Sequence, residues 1–460
     1  MLKFDRGAFS MNDTIAAIST ALGVGAISII RVSGNEAIEI VSKVWKGKAL
    51  TLQDTHTIHY GHIVDKEEVI DEVLLSLMRA PRTFTKEDVI EINSHGGIAT
   101  TNRILELLLI NGCRLATPGE FTKRAFLNGR IDLIEAESVM DLISAKTDKA
   151  RELAMHQLSG EVSSMIKELR QKIIEVLANI EVNIDYPEYE DIAVMTVEEA
   201  NTNIDYIEKE INRILSRSET SALIKEGIKT VIIGKPNVGK SSILNKLLEE
   251  EKAIVTDIAG TTRDTVEGTI SIDGILLHMI DTAGIRETKD IVESIGVKKS
   301  LALIEEADLI LFVLSNDEEI NEEEKEILNR LKDRAAIIII NKADLPEKEK
   351  KIDISKPVIL MSAIENKGIE ELRGKIKELF NLEQLETEDY TYLSSARSIA
   401  LLRKACESLS SARRGIEEQV PIDMIEIDLK EVWSLLGEII GETYSEELID
   451  QLFSQFCLGK

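Results

Sequence analysis

The chain has 460 residues, too many for one compact core, so two to four domains are expected. Its 55 Lys and Arg against 82 Asp and Glu give a formal net charge of −27. This charge excludes nucleic-acid binding through bulk electrostatics, so any RNA contact needs a local basic patch or a partner protein.

The three cysteines are scattered and form no CxxC or Cys/His cluster, which argues against a disulfide framework and against zinc. No apolar run approaches the roughly 20 residues that span a bilayer. The N-terminal stretch MLKFDRGAFS lacks the apolar region of a secretion signal. The sequence therefore predicts a cytoplasmic protein. The true start is left open between Met1 and Met11, and residues 1–11 are interpreted as an extension that could be disordered.

Residues 12–128 have the pattern of a mixed α/β domain. Short apolar runs bounded by Gly, Pro or Asp predict strands at TIAAIST, GAISIIRVSG, HTIHYGHIV, EVLLSLMRAP and DVIEINSH. The segment NRILELLLINGC predicts a helix that ends at Gly112.

From residue 131 to about residue 184 the apolar period becomes helical. One face of a long helix is predicted by the spacing of Val162, Ile166, Leu169, Ile173, Leu177 and Ile180. The segment DYPEYED at 185–191 is expected to break this helix before a second helical stretch at about 197–221. Helical periodicity returns from about residue 394, where one stripe holds Ile425, Leu429, Val432, Leu436 and Ile439. We expect residues 129–221 and 381–460 to form one helical bundle.

Between the two helical stretches, at 222–380, apolar strand patterns alternate with helices. The strands include KTVIIG, LLHMIDTAG, DLILFVLS and AAIIIINKAD. This alternation is typical of a parallel, doubly wound sheet with crossover helices. The predicted fold class is therefore multidomain: an N-terminal α/β domain, a helical bundle and an α/β domain inserted between its two parts.

The segment GKPNVGKS at 234–241 fits the phosphate-binding pattern G-x-x-x-x-G-K-[ST]. It follows the strand TVIIG and precedes the helix SSILNKLLEE, which is the context of a genuine P-loop. Backbone N–H groups would close around phosphate oxygens there, Lys240 would reach the β- and γ-phosphates, and the Ser241 hydroxyl would bind Mg²⁺. The alternative is a glycine turn without a ligand.

Further motifs follow in the order expected of a guanine-nucleotide site. Asp281 in DTAG ends a strand and can hold a magnesium-bound water, and Asp344 in NKAD can accept hydrogen bonds from guanine N1 and its 2-amino group. Backbone N–H groups at Ser362 and Ala363 could contact guanine O6. Ligands of open α/β sheets bind at these carboxyl ends of strands.

A Gly-Thr-rich segment, GTTRD at 260–264, lies where a switch loop is expected, and Thr262 is a candidate second Mg²⁺ ligand. The alternative is an ordinary surface loop. The predicted GTP-binding residues are Asn237, Val238, Gly239, Lys240, Ser241, Ser242, Thr256, Asp257, Ile258, Ala259, Gly260, Thr261, Thr262, Asp281, Thr282, Ala283, Gly284, Asn341, Lys342, Ala343, Asp344, Ser362 and Ala363.

The chain resembles the tRNA-modification GTPase MnmE (TrmE) family over about residues 12–460. Outside the nucleotide motifs, the resemblance rests on NDTIAAIST, GAISIIRVSG, DVIEINSHGG, TPGEFTKRAFLNGRIDLIEAESVMDLI and the terminal FCLGK. Within the nucleotide motifs, Asn237 and the GTTRD segment resemble the corresponding motifs of the potassium-dependent GTPases of the TrmE-Era-EngA type. Family membership would make the inserted domain a G domain.

The resemblance also implies how hydrolysis is catalysed. Residue 285 after DTAG is Ile, and an apolar side chain cannot orient the attacking water. By resemblance, K⁺ would be bound by Asn237, Thr256, Ile258 and Thr261 and would replace an arginine finger. Glu293 would be the catalytic glutamate, which positions water indirectly; its alternative interpretation is a solvated charge on a helix.

For the N-terminal domain, the resemblance implies a folate-binding and dimerisation role with 5-formyl- or 5,10-methylene-tetrahydrofolate as ligand. The matching positions are Arg31, Glu91, Arg130 and Lys460. Arg130 stands where some relatives carry Lys, and each of these residues could instead form a surface ion pair. Cys457 matches a cysteine needed for modification, although a small buried side chain is the alternative, and Leu458 departs from the usual Cys-Ile-Gly-Lys ending.

The implied activity is GTP-dependent addition of an aminomethyl or carboxymethylaminomethyl group at C5 of wobble uridine 34 in certain tRNAs. The implied partners are a second copy of the chain and the FAD-containing MnmG (GidA) protein, in a heterotetramer that binds tRNA, with no membrane. FAD belongs to the partner. Two alternatives stay open: a ribosome-assembly GTPase, and a structural switch with no output beyond GTP hydrolysis.

Overall fold

The computed structural model describes residues 13–185, 190–250, 266–272, 274–280, 303–348, 352, 355–380, 382 and 392–459. By internal contacts the chain divides into two units: residues 1–140 with 437–460, and residues 141–436. The predicted domain boundaries at 128, 221 and 380 stay a prediction. The predicted extension at residues 1–11 lies outside the described residues.

The first unit is built on a seven-stranded sheet with the order β3-β4-β5-β6-β2-β1-β7. Its strands are β1 (Ile15–Ile18), β2 (Ile27–Ser33), β3 (Trp45–Lys46), β4 (Thr57–Asp65), β5 (Glu68–Met78), β6 (Val89–His95) and β7 (Arg114–Leu115). All neighbouring pairs are antiparallel except β1 and β7, which run parallel. The five predicted strands are confirmed, at β1, β2, β4, β5 and β6.

Helices cover one face of this sheet. They are α1 (Ala37–Val44) and α2 (Ile98–Ile110), and their buried side chains share a core with alternate residues of the strands, such as Ile30 and Val32. Because side chains alternate across a strand, Arg31 between these two points to the opposite face. The helix predicted to end at Gly112 ends at Ile110, and Gly112 has φ +124, a conformation that favours glycine.

The C-terminal residues complete the first unit. Helix α3 (Glu120–Leu127) packs against the C-terminal helix at 446–453, and their cluster includes Phe126, Phe453 and Phe456. The approach is close at Gly119, where an added Cβ would lie 2.4 Å from the carbonyl oxygen of Phe453. Glycine is therefore required at this position. Helix α4 spans Leu133–Ser144.

The helices of the second unit include α5 (Asp148–Leu158), α6 (Glu161–Asp185) and α7 (Glu190–Glu226). The six stripe residues predicted from Val162 to Ile180 are all buried on α6, and the helix ends at Asp185, where the break was expected. Helix α7 begins earlier and ends later than predicted. It packs against both α6 and the later helix at 396–417, which joins the two helical stretches of the sequence.

The inserted α/β region carries a six-stranded sheet with the order β13-β12-β11-β8-β10-β9. Its elements are β8 (Ile228–Ile233), α8 (Lys240–Glu250), β9 (Val266–Ile272), β10 (Ile275–Ile280), β11 (Leu309–Ser315), α9 (Glu322–Arg330), β12 (Ala336–Asn341), β13 (Val358–Leu360) and α10 (Ile369–Leu379). The predicted parallel sheet is confirmed for β8 and β10–β13. Strand β9 differs, because it pairs antiparallel with β10.

The remaining helices are α11 (Ala396–Glu417), α12 (Ile422–Ile440) and α13 (Glu446–Phe453). The stripe predicted from Ile425 to Ile439 lies on α12, and all five of its residues are buried. No helix in the described part of the chain is both long and apolar enough to cross a membrane.

Candidate functional site

The predicted phosphate-binding loop joins β8 to α8 and is shaped by two glycines. Gly234 and Gly239 have φ values of +151 and +95. A Cβ on Gly234 would lie 2.3 Å from the carbonyl oxygen of Val313, and a Cβ on Gly239 would lie 2.0 Å from Nδ2 of Asn341. Both positions therefore require glycine, for backbone conformation and for space.

Lys240 is the first residue of α8 and folds back onto the loop. Its Nζ donates hydrogen bonds to the carbonyl oxygens of Gly234 (2.8 Å) and Lys235 (2.6 Å). Burial lowers the pKa of this ammonium group. A phosphate group in the loop would favour the charged form and oppose this shift. Ser241 and Ser242 follow at the exposed start of the helix.

Two neighbouring residues of the loop differ in exposure. Asn237 has φ +62, a left-handed conformation that Asn tolerates, and its side chain is exposed. Val238 is buried against the core. The side chain of Asn237 is thus accessible to a ligand at the outer turn of the loop.

Asn341, the last residue of β12, connects the phosphate-binding loop with the two loops predicted to read the base. Its Nδ2 donates to the carbonyl oxygen of Val238 (2.8 Å), and its Oδ1 accepts from the backbone N–H of Ala363 (3.4 Å). The backbone N–H of Ala343 donates to the carbonyl oxygen of Met361. Since Asn341 is 3% exposed, these hydrogen bonds are protected from water and hold the three loops together.

Asp344 is exposed, and one of its oxygens already has a partner. Ser362 Oγ donates to Asp344 Oδ1 at 2.7 Å, and Ser362 Oγ itself accepts from the backbone N–H of Glu365. Ser362 is fully buried, so it holds the carboxylate in a defined orientation. A carboxylate held in this way can accept two parallel N–H donors, as the edge of guanine offers.

The segment after β11 was not predicted to be part of the site. It contacts both the phosphate-binding loop and the NKAD loop. The backbone N–H of Asn316 donates to the carbonyl oxygen of Asn341, Asp317 lies 3.8 Å from the ammonium group of Lys342, and Glu318 lies 3.7 Å from that of Lys235. The signal in the sequence was the acidic run NDEE directly after a buried strand, at the edge where the loops meet.

Several predicted residues lie outside the described residues. They are the switch segment at 256–262, the DTAG segment at 281–284, Glu293 and Lys460. Their roles stay predictions. Among the residues that the structure describes, no group of three His, Cys, Asp or Glu side chains could hold a metal ion.

In the first unit, the structure brings Arg31 and Glu91 together. They are direct partners in the register of β2 and β6, and Arg31 Nε donates to Glu91 Oε1 at 2.9 Å. The guanidinium group also lies 5.6 Å from the centre of the Phe121 ring and donates to the carbonyl oxygen of Gly459 at 3.1 Å. A half-buried ion pair on an aromatic ring can recognise a planar, charged ligand.

Arg130 lies over a second aromatic ring of the same unit, with its guanidinium group 4.8 Å from the centre of the Phe84 ring. Phe84 and Phe121 belong to one apolar cluster. Two of the predicted folate residues, Arg31 and Arg130, therefore each lie over an aromatic ring of one apolar cluster, and Glu91 pairs with Arg31.

The C-terminal residues lie against β1. The carbonyl oxygen of Gly459 accepts from Ser19 Oγ at 3.1 Å, and Gly459 has φ +86 with no room for a Cβ beside Ile18. The carbonyl oxygen of Cys457 accepts from the backbone N–H of Gly119, while its side chain is exposed and forms no disulfide. The side chain of Cys457 is thus accessible to solvent, and the alternative interpretation of a buried cysteine is wrong.

A buried ionic cluster, also missed from the sequence, fixes helix α3 and with it Phe121. Glu120 is fully buried and accepts from Arg114 (2.5 Å), Arg124 (3.0 Å) and the backbone N–H of Thr117 (2.8 Å). Burial alone would raise the pKa of Glu120, but these hydrogen bonds and charges prevail and lower it. Asp13 also forms ion pairs with both arginines, Arg114 and Arg124.

A glycine-walled phosphate loop, an NKAD loop and a Ser-Ala loop at one sheet edge define the class of P-loop GTPases. A family model described as "GTP-binding protein TrmE N-terminus" matches residues 14–130, and one described as "MnmE helical domain" matches residues 133–457. The chain belongs to the MnmE family of tRNA modification GTPases.

Similar proteins include "tRNA modification GTPase MnmE" of Bacillus cytotoxicus, 54% identical over 97% of this chain and 99% of that protein. The proteins of the same name from Bacillus subtilis and Lactococcus lactis are each 53% identical over 97% of this chain, covering 100% and 98% of those proteins. A solved G domain of the T. maritima FeoB iron transporter is 24% identical over 33% of this chain and 98% of its own. The TM-score of this match is 0.25.

Proposed function

We propose that this protein binds and hydrolyses GTP at the edge of the six-stranded sheet. The observation that carries the proposal is the position of Asn341, whose buried side chain ties the phosphate loop at Val238 to the base loop at Ala363. A nucleotide between these loops would meet amide donors at its phosphates and the Asp344 carboxylate at its base. Adenine lacks the donor pair that this carboxylate would accept, so the base is guanine.

Mg²⁺ fits the described part of this site, since Ser241 is a hydroxyl-bearing residue at the exposed start of α8, next to Lys240. In our proposal Ser241 and Thr262 would bind the ion, and Asp281 would hold a magnesium-bound water. When bound, Mg²⁺ neutralises charge on the β- and γ-phosphates. Lys240 holds the same phosphates from the loop side.

K⁺ also fits at Asn237, an exposed residue with a side-chain carbonyl, on the outer turn of the loop. Thr256, Ile258 and Thr261 would supply the other oxygens, and Glu293 would position the attacking water. A monovalent cation there supplies the positive charge that an arginine finger supplies in other GTPases.

GTP hydrolysis in K⁺ should exceed hydrolysis in Na⁺ by about 10-fold or more, because a smaller cation fits the same oxygens poorly and stabilises the transition state less. The measurement is phosphate release at equal ionic strength, with choline as an inert control cation. The Asn237→Ala variant should lose the difference between the two cations. Equal wild-type rates in K⁺ and Na⁺ would remove the cation from the mechanism.

We further propose a tetrahydrofolate site in the first unit, for a 5-formyl or 5,10-methylene derivative. The support is the contact of Arg31 with Glu91, Phe121 and the Gly459 carbonyl. The residues fit the ligand, since a carboxylate suits the amino and N–H donors of the pterin, while Arg130 and Lys460 suit its acidic glutamate tail. The bound folate would supply a one-carbon unit.

Arg31→Ala should weaken the binding of 5-formyl-tetrahydrofolate by about tenfold or more, because it removes a charge-assisted hydrogen bond and leaves Glu91 unpaired. Calorimetric titration of the folate measures the effect. Arg103→Ala is the matched control, because Arg103 forms an exposed ion pair with Asp65 and Glu106 on the same unit. Folate binding that survives Arg31→Ala in folded protein would contradict the site.

For the whole protein, we propose addition of an aminomethyl or carboxymethylaminomethyl group at C5 of wobble uridine 34. The protein would act as a cytoplasmic homodimer with the FAD-containing MnmG protein, in a heterotetramer that receives tRNA. Movement of the G domains on hydrolysis would drive the complex rather than supply the carbon chemistry. Membership of the MnmE family and the match to the TrmE N-terminus support this function over a ribosome-assembly GTPase.

Mass spectrometry of wobble uridines from cells that lack the protein tests this function. The modified nucleoside should disappear and return with the wild-type gene. It should not return with Glu293→Ala or Cys457→Ser, which change the two proposed catalytic residues. Unchanged uridines together with accumulating ribosomal subunit precursors would favour the ribosome-assembly alternative.

A further inference from the structure

We propose that Lys235 and Glu324 form a positioning pair that holds the outer turn of the phosphate-binding loop ready for nucleotide. Lys235 is the second residue of the loop, and Glu324 lies in the first turn of α9. The two side chains meet with Nζ 2.8 Å from Oε2. This inference rests on the proposed GTP site and goes beyond it, because neither residue contacts the nucleotide in that proposal.

Glu324 is a rigid anchor. Its side chain is 5% exposed, and its Oε2 also accepts from the backbone N–H of Asn321, while the Asn321 side chain accepts from the backbone N–H of Glu324. This reciprocal capping box fixes the carboxylate at the start of the helix. A buried carboxylate without a cation is strongly unfavourable, so Glu324 in turn holds the Lys235 ammonium in place.

The other end of Lys235 belongs to the binding loop itself. Its carbonyl oxygen accepts from Lys240 Nζ at 2.6 Å, so one residue connects the phosphate-binding lysine with α9. The inner ends of the loop are fixed by the close approach of Gly234 to the backbone of Val313 and of Gly239 to the side chain of Asn341. The exposed turn of Pro236 and Asn237 lies between them, and it directly follows Lys235.

A second carboxylate faces the same ammonium group at longer range. Glu318 lies 3.7 Å away and is half exposed, so solvent screens it. The shorter, buried contact with Glu324 therefore dominates. Loss of this contact would let the outer turn sample other conformations, and nucleotide binding would have to order it again.

Such an ordering cost falls equally on the bound substrate and on the transition state. It therefore raises KM and leaves kcat unchanged. We expect Lys235→Gln and Glu324→Gln each to raise KM for GTP about tenfold, which corresponds to about 1.4 kcal/mol. Glutamine at position 324 keeps the capping acceptor, so the helix cap survives while the charge is removed.

The test is steady-state GTP hydrolysis by the full chain at saturating Mg²⁺ and K⁺. Because both residues act through one contact, the double variant should be no worse than either single variant. Lys235→Arg keeps the charge and should return KM to within about twofold of wild type. Lys325→Gln is the matched control, since its exposed pair with Glu322 lies on the same helix away from the loop.

Three results would overturn the inference: an unchanged KM in Lys235→Gln, independent multiplication of the two effects in the double variant, or a loss of thermal stability in Glu324→Gln with KM unchanged. If Glu324→Gln does not fold, the comparison of KM between Lys235→Gln and Lys235→Arg tests the inference by itself. A wild-type protein that hydrolyses no GTP would overturn the proposed function as well, which distinguishes the two failures.

Discussion

Asp344→Asn should transfer nucleotide preference from GTP to XTP. The Asp344 carboxylate would accept both N1–H and the 2-amino group of guanine with its acceptor oxygens, whereas an amide replaces one of those oxygens by an NH2 donor. The mismatch should lower GTP affinity by about 100-fold or more, because an N–H donor of guanine is left facing the N–H donor of the amide. Xanthine carries an oxygen at C2 and accepts the new N–H donor.

The contact with Ser362 makes the direction of this change specific. Ser362 Oγ donates to Asp344 Oδ1, and in the variant the same hydroxyl group would select the amide oxygen. The amide nitrogen then takes the place of the second carboxylate oxygen, facing the base. The variant should therefore gain XTP binding rather than merely lose GTP binding.

Competition between the two nucleotides for a fluorescent GTP or XTP analogue measures the exchange. The control is Asp333→Asn, which removes the same charge just before β12, at the opposite end of the strand from Asp344. Asp333→Asn should bind GTP as wild type does. Unchanged GTP preference in Asp344→Asn would contradict the base assignment and leave the loop a structural turn.

Gly239→Ala should weaken nucleotide binding severely. The new methyl group would stand 2.0 Å from Asn341 Nδ2 on a residue with φ +95. Asn341 would have to move, and it would break its hydrogen bonds to the carbonyl oxygen of Val238 and the N–H of Ala363. Strained backbone of this kind costs about 1–3 kcal/mol before the lost hydrogen bonds are counted.

Titration of a fluorescent GTP analogue should show affinity lowered by about 100-fold or more, since the variant displaces donors from the phosphate and base loops together. Gly374→Ala is the control, because a Cβ at this position in α10 meets nothing within 4 Å. That change should stabilise the helix slightly and leave binding intact. Normal affinity in Gly239→Ala would show that the loop does not enclose phosphate.

Strands and helices with strong periodicity were predictable from the sequence. The apolar run TVIIG is β8, and the stripe from Val162 to Ile180 is buried on one helix. In these segments the residues that the local pattern predicts to be apolar-facing are the residues that are buried in the fold, so the sequence alone indicates the element. The nucleotide motifs could be located because each follows an apolar strand pattern in the sequence.

Strand β9 was not predicted, although its sequence VEGTISI contains β-branched residues. It follows the segment interpreted as a switch loop, and its third residue, Gly268, weakens the strand pattern. Only residues 273–274 separate β9 from β10, too few for a crossover, so the pair had to be antiparallel. The rule that strands alternate with helices led to the prediction of a single strand here, so the hairpin of β9 and β10 was not predicted.

Contacts between distant segments could not be predicted. Nothing local in the sequence indicates that Glu324 pairs with Lys235, or that the carbonyl oxygen of Gly459 accepts from Arg31. Such pairs depend on how whole elements pack against each other. A run of charged residues in a sequence usually indicates a solvent-exposed surface, not a specific ion pair. The folate residues were accordingly inferred from family resemblance rather than from pattern.

Calorimetric titration of the folded chain with Mg²⁺ and a non-hydrolysable GTP analogue most directly tests the nucleotide pocket. We predict saturable heat with one nucleotide bound per chain, and no heat with the matching ATP analogue. Absence of heat with the guanine nucleotide, from protein whose unfolding transition is cooperative, would contradict the assignment of residues 234–241 and 341–344 to a guanine-nucleotide site.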